Sequence, residues 1–362
     1  MKKYKLSQIA GVVYLLVLAN YLGTTSNTVI NLAKQDAWFS ILIGFLIGFI
    51  PLFVFFKIMD YKPDLNIAQK NINIFGKKIG NIINIILMIT TFIILTSICW
   101  TTDNFIGSQY LHRTPTLFIG ICGSSCLIYM LNNDIHTILR SLFILFIIGF
   151  SLYIFGTIGL INQFKLNNLK PFFEHGFISP LLASFKTITY NILPLFFITI
   201  FPKNMIENSE KLNKVVIKAY LLGGTIMFII ILLTIGSFGP KLSQLFQYTA
   251  YHLLKNITLF GFIDRIESLI SIRWILYFIG FAVIALYFNS VILNSIIKIN
   301  KKVNILINFV FVLGSIIISE IVFNNHLDKQ FFTDNIFPYL SLFSYFIIPV
   351  IILISSKFKT NE

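Results

Sequence analysis

Charged side chains are scarce in this chain. Asp, Glu, Lys and Arg make up 12% of its 362 residues, roughly half the share of about 25% in an ordinary soluble domain. Such a sequence has too little charge to clothe a water-facing surface. Its 39 phenylalanines and 56% hydrophobic content exceed what one soluble core of this size can hide. Cysteine is also scarce. Cys99, Cys122 and Cys126 all fall inside apolar runs, which excludes a disulfide framework. Cys122 and Cys126 share one helix face with no His or carboxylate at ligand spacing, so they read as small buried residues and not as a metal pair. The five histidines (His112, His136, His175, His252 and His326) stand singly in or near loops. There is no HExxH, no paired-Asp motif and no Gly-rich phosphate loop. The chain is therefore not expected to be an enzyme, and neither a metal nor a cofactor is expected.

What is present is a series of apolar runs, each near the ~20 residues that cross a bilayer. They are Gln8 to Ile30, Trp38 to Lys57, Ile79 to Trp100, Thr114 to Leu131, Ile135 to Ile161, Ile178 to Phe201, Val215 to Phe238, Ile266 to Leu293, Val303 to Phe323 and Phe337 to Ser355. The pattern reads as an all-α integral membrane protein of about ten transmembrane helices. The first run is longer than the apolar core of a secretory signal and lacks a small-residue cleavage site, so it reads as a retained helix. No connection is long enough for a further folded domain, and residues 1–362 read as a single transmembrane domain. The stretch from Lys241 to Leu254 fits a short amphipathic helix on the outer face, either an interfacial helix that seals the bundle or a lid.

The net charge of +14 would suggest nucleic acid in a soluble protein. Here the basic residues cluster between apolar runs, where they report topology at an anionic membrane surface. With the N-terminus inside, inner segments carry 18 Lys and Arg and outer segments 8, while Lys186 and Arg273 fall within spans. Both termini are thus expected to be cytoplasmic. The expected partner of the surface is lipid, and no nucleic acid.

Function in such a bundle is sought where a helix breaks or carries polar groups. The first run contains Leu22-Gly23-Thr24-Thr25-Ser26-Asn27-Thr28. This is either an unwound segment offering backbone groups to a small polar ligand or a polar exit loop. The sixth contains Thr187-Ile188-Thr189-Tyr190-Asn191-Ile192-Leu193-Pro194. Pro194 removes an N–H from the helix, leaving either a ligand-binding gap at Thr189, Tyr190 and Asn191 or a plain kink. Breaks in helices one and six, five apart, are what two inverted five-helix repeats give, here roughly 8–161 and 178–323, with the tenth helix either outside them or completing the bundle. The eighth opens with Asp264, Arg265 and Glu267, with Arg273 about 9 Å deeper at 1.5 Å per residue. Glu267 is either a ligand or gating contact or a carboxylate resting on the helix dipole. Arg273 is expected to snorkel to the interface, the alternative being that it faces the bundle. Trp100, Thr101 and Asp103, at the outer end of the third helix, are expected to line the mouth of the site.

These residues carry a family resemblance. The Gly-hydroxyl segment Leu22 to Ser26, Gln35-Asp36-Ala37-Trp38, Gly76-Lys77-Lys78-Ile79-Gly80, and Arg265-Ile266-Glu267-Ser268-Leu269 followed by Trp274 occur in order along the chain. In these pieces it resembles the spore germination permease family. These are the B subunits of nutrient-germinant receptors in endospore-forming Firmicutes, within the amino acid–polyamine–organocation superfamily. The resemblance implies a LeuT-like fold and a site between helices one, three, six and eight for a small nutrient, commonly an amino acid. It implies A-subunit and lipoprotein C-subunit partners in the spore inner membrane. Asp36, Trp38, Pro194, Arg265 and Arg273 are expected in structural or gating roles. Where superfamily relatives often carry Gly-Phe-Glu in the sixth helix, this chain has Thr189-Tyr190-Asn191. Recognition of a ligand amine by an acid is therefore not carried over, and Asn191 suits donor and acceptor hydrogen bonding instead. The competing reading is a secondary amino-acid transporter acting alone.

Overall fold

The computed structural model describes residues 3–20, 26–255, 267–297 and 299–359. Its elements are helical. Among the described residues, eight helices are long and apolar enough to cross a membrane, and two shorter apolar helices, Leu6–Ala19 and Thr116–Leu131, accompany them. Many large apolar side chains, such as Phe118, Ile144, Phe155 and Leu182, lie exposed on the outside of the bundle. That surface belongs against lipid.

The first apolar run gives α1 (Leu6–Asn20) and α2 (Ser26–Ala33), and the second gives α3 (Ala37–Ile47) and α4 (Phe49–Asp60). The remaining spans are α5 (Ile67–Gln109), α6 (Thr116–Leu131), α7 (Ile135–Leu160), α8 (Ile178–Phe196) and α9 (Leu212–Leu245). A short α10 (Thr249–Lys255) precedes α11 (Glu267–Ile296) and α12 (Lys301–Val322). The last span is built from α13 (His326–Phe331), α14 (Phe337–Leu342) and α15 (Ile348–Lys359), joined by π-helical turns at Phe332–Ile336 and Phe343–Ile347. It begins well before the apolar run at Phe337, because Lys329 is buried against α14's approach and bonds Thr333.

Two long helices turn inside their length. Gly76 in α5 has φ +78° and ψ 170°, and Gly239 in α9 has φ +74° and ψ 164°. That conformation is essentially closed to residues with a Cβ. At the first turn the chain folds back so closely that a Cβ on Gly80 would stand 2.6 Å from the carbonyl oxygen of Asn71. The Gly-Lys-x-x-Gly motif is thus a helix–turn–helix corner. Asn66 and Gln69 close its start as a capping box, and Asn71 and Asn84 bond across it at 2.8 Å. Small residues set helix spacing elsewhere: a side chain on Gly44 of α3 would collide with Thr187 of α8.

The expected inner segments meet on one face. Tyr4 exchanges backbone bonds with Met205 and Glu207, at 2.7 and 2.9 Å. Asn204 bonds the carbonyl of Pro63, Lys203 pairs with Asp60, and Lys359 reaches the carbonyl of Asn73. The opposite face joins Lys34 to His175, Asn27 to the carbonyl of Phe246, and Tyr248 to Asn104. The alternation read from lysines is therefore present in the packing.

Two expectations are corrected here. Cys122 and Cys126 are exposed on the outside of α6, and Cys99 is the buried cysteine of the three. The outward-facing pair sits where the partner is hydrocarbon, which suits a thiol as well as a protein core does. The segment expected as one helix is split: Lys241 to Leu245 end α9 with Leu242 and Leu245 exposed, and a separate α10 buries Thr249, Ala250, Tyr251, Leu253 and Leu254.

Candidate functional site

α1 packs against α7, α8, α9 and α11, and α2 against α8, α9 and α10. Gly23, Thr24 and Thr25 lie outside the described residues, as does Arg265. Ser26 opens α2 and is buried. Asn27 donates to the carbonyl of Phe246 at 2.6 Å and accepts from Asn31 at 2.6 Å. The polar stretch of the first span is thereby tied to the loop beyond α9.

α8 carries its polar residues within a continuous helix. Thr189 bonds the carbonyl of Lys186 at 2.9 Å, and Asn191 that of Thr187 at 3.0 Å. Tyr190 donates to the carbonyl of Thr333 at 3.0 Å and stacks on Phe337, while Ser341 donates to the carbonyl of Thr189 at 2.7 Å. Pro194 sits inside the helix, and the winding changes to 3-10 only at Phe197–Ile200. The sequence placed the discontinuity at Thr189–Asn191. The side-chain bonds to the helix's own carbonyls and to the last span support the α winding there, and the change of winding falls past Pro194.

Trp100, Thr101 and Asp103 are buried but diverge. Trp100 leans on Phe323 beyond α12, Thr101 bonds the carbonyl of Ser97 in its own helix, and Asp103 abuts Gly120 of α6. The residues of α5 that close the face opposite the termini are Asn104 and Phe105. Asn104 accepts from Tyr248 at 2.9 Å and Gln247 at 3.3 Å. Phe105 packs edge-on against Tyr248 and Tyr251 and beside Trp274, with ring centroids 5.0 to 5.3 Å away. Tyr110 bonds Ser271. The sequence reading passed over Phe105, Tyr248 and Tyr251. The available signal was two tyrosines three residues apart in a segment of helical period.

Glu267 lies in the first turn of α11, 8% exposed, with one carboxylate oxygen unpartnered. Arg273 is 3% exposed and sits 5.5 Å from the ring of Tyr153. Tyr14 and Tyr277 also stand within its field. Arg273 does not snorkel, because Ala250, Leu253 and Leu254 of α10 close over the small cavity, about 30 Å³, that it lines. It is a buried cation set over the ring of Tyr153, and its Nε has no partner. Asp36 and Trp38 clasp the long connection before α8. Both Asp36 oxygens accept the N–H of Phe173 at 3.0 Å, Gln35 donates to the carbonyl of Pro171 at 3.0 Å, and Trp38 packs on Phe172. A larger cavity, about 600 Å³, opens on the face of the termini. Amides such as Asn66, Gln69, Asn132, Asn294, Asn304 and Asn308 line it, and none of the site residues expected from sequence does.

Among the described residues the bundle is helical and its fold is transporter-like. It is similar to a Na+-coupled sialic acid symporter solved in a substrate-bound outward-open state, with TM-score 0.62 and 12% identity, covering 93% of this chain and 79% of that one. That likeness is one of fold. The family model for spore germination proteins, the spore permeases, matches residues 6–327, and the chain belongs to that family. Relatives include the spore germination proteins YfkT and YndE of Bacillus subtilis (strain 168). YfkT is 28% identical over 68% of this chain and 67% of its own, and YndE 23% over 90% and 88%. Spore germination protein XB of Bacillus anthracis is 24% identical over 67% of each chain.

Proposed function

We propose that this protein is the nutrient-sensing B subunit of a germinant receptor. It binds a small polar nutrient, of amino-acid type, between spans one, three, six and eight, and passes a change of state to A and C partner subunits in the spore inner membrane, with both termini cytoplasmic. The observation that supports it most is the family match across residues 6–327 on a transporter-type bundle. In this reading the halves at roughly 8–161 and 178–323 flank the ligand. Gly23, Thr24, Thr25 and Ser26 offer backbone and hydroxyl groups, Thr189 to Asn191 form the facing wall, and Glu267 guards access. Binding acts by favouring one of two bundle states.

The test is germination of spores carrying Gly23→Trp, against a panel of amino acids, sugars and nucleosides that trigger the parent. The expected result is loss of response to one nutrient with the protein still present in the membrane. A parental response at normal abundance removes this site. Uptake of labelled amino acid by the lone chain in proteoliposomes, driven by an ion gradient, would favour a free-standing transporter instead.

A further inference from the structure

Asp103 is 6% exposed, and its Oδ2 has no hydrogen-bond partner. It faces a cavity of about 50 Å³ enclosed by α5, α6, α11 and α12. Gly120 makes the room: a Cβ there would stand 2.6 Å from Asp103 Oδ2. Glu320, near the end of α12, is the charged group on another helix that acts on Asp103. Glu320 accepts from Thr116 at 2.8 Å through Oε2, while Oε1 is buried and unpartnered. Thr116 lies one turn before Gly120, on the side of the face opposite the termini. The two carboxylates thus form a step inward from that face. Neither is ion-paired among the described residues.

The hydroxyls that line the cavity beside Asp103 have already given their hydrogens to their own helices. Thr102 gives its hydroxyl hydrogen to Ile98, and Ser124 gives its own to Ile121, at 2.9 and 2.5 Å. What these groups turn toward the cavity is lone pairs. Apolar Leu127, Phe278, Ala282 and Ile316 form the other walls. A metal cation would need about six oxygen ligands, which such walls do not supply. The titratable neighbours are Cys99 on α5 itself and Glu320 on α12; α6 and α11 contribute none to the cavity. Two like charges cannot both persist in hydrocarbon.

We propose that Asp103 holds one exchangeable proton, taken from the face opposite the termini past Glu320. This site is separate from the nutrient site above and does not depend on it.

The test is infrared difference spectroscopy of the purified full chain in lipid nanodiscs, titrated with acid and base about neutrality. The parent is expected to show a protonated-carboxyl band that disappears on alkalinisation. Asp103→Asn should lose it. Glu320→Gln should move its midpoint down by about one pH unit or more, because the like charge is gone. Asp103→Glu should keep a titrating band, which separates loss of the group from loss of the fold, and the exposed Glu207→Gln should change nothing. A band absent from the parent, or unmoved in both Asp103→Asn and Glu320→Gln, overturns the proposal. So does displacement of the band by Na+ or K+ at fixed pH, which would mark a metal-cation site.

Discussion

Arg273 poses the sharpest question at the scale of one side chain. Arg273 is a buried cation with no carboxylate partner among the described residues, and burying a charge is costly unless it is paired. Arg273→Met is therefore expected to hold or raise the thermal midpoint of the protein in detergent while abolishing the germination response. A variant that loses both stability and response would make the arginine a packing residue. The charge itself was visible in the sequence, but its depth was not. Six residues past Glu267 places it about 9 Å along an axis, and nothing local reveals that α10 closes above it. Trp100, Thr101 and Asp103 teach a related lesson. At about 100° per residue, Thr101 points away from both Trp100 and Asp103, while those two, three apart, share a broad face that α12 and α6 divide. One site can rarely gather all three, and here α12, α5's own backbone and α6 divide them.

Among the elements, the corner in α5 is the most exposed to test. Gly76 occupies backbone space reserved for glycine, and Gly80 touches backbone, which cannot move aside. Gly76→Ala and Gly80→Ala are each expected to cost about 1–3 kcal/mol, read as a lowered thermal midpoint with the helical content retained. Midpoints equal to the parent's would mean the corner can open without loss. The motif could be seen in the sequence as spacing, yet its geometry could not: two glycines four apart also suit a smooth helix face. The same holds for Gln35-Asp36-Ala37-Trp38. The sequence showed a polar–aromatic break between two spans. Its task, clasping Pro171 to Phe173 from more than a hundred residues away, is a long-range contact with no local signature.

For the whole molecule, the lysine distribution and the apolar runs carried most of the architecture, because lipid imposes span length and basic residues record sidedness. The packing joins residues 4, 60, 63, 73, 204 and 359 on one face. In a background with Cys99, Cys122 and Cys126 replaced by serine, single cysteines at the exposed Lys211 and Lys241 are expected to react with an impermeant maleimide from opposite sides of sealed vesicles. Lys211→Cys should react from the cytoplasmic side. Labelling of both from one side would break the topology.

The last span bears on how such a bundle can change over time. Each of its π-helical turns holds about one residue more than an α-turn would. The first, at 332–336, supplies the carbonyls that receive Tyr190 and Lys186. The second, at 343–347, places Ser344 and Tyr345 against Thr90 and Thr91. Loss of one residue from either turn would let it close to an ordinary α-turn with the helix beyond kept in phase, but would take away the bulged groups that meet α8 or α5. The span can therefore shorten by one residue at either turn and stay in register with its neighbours, and what such a loss removes is the local contact made by the turn.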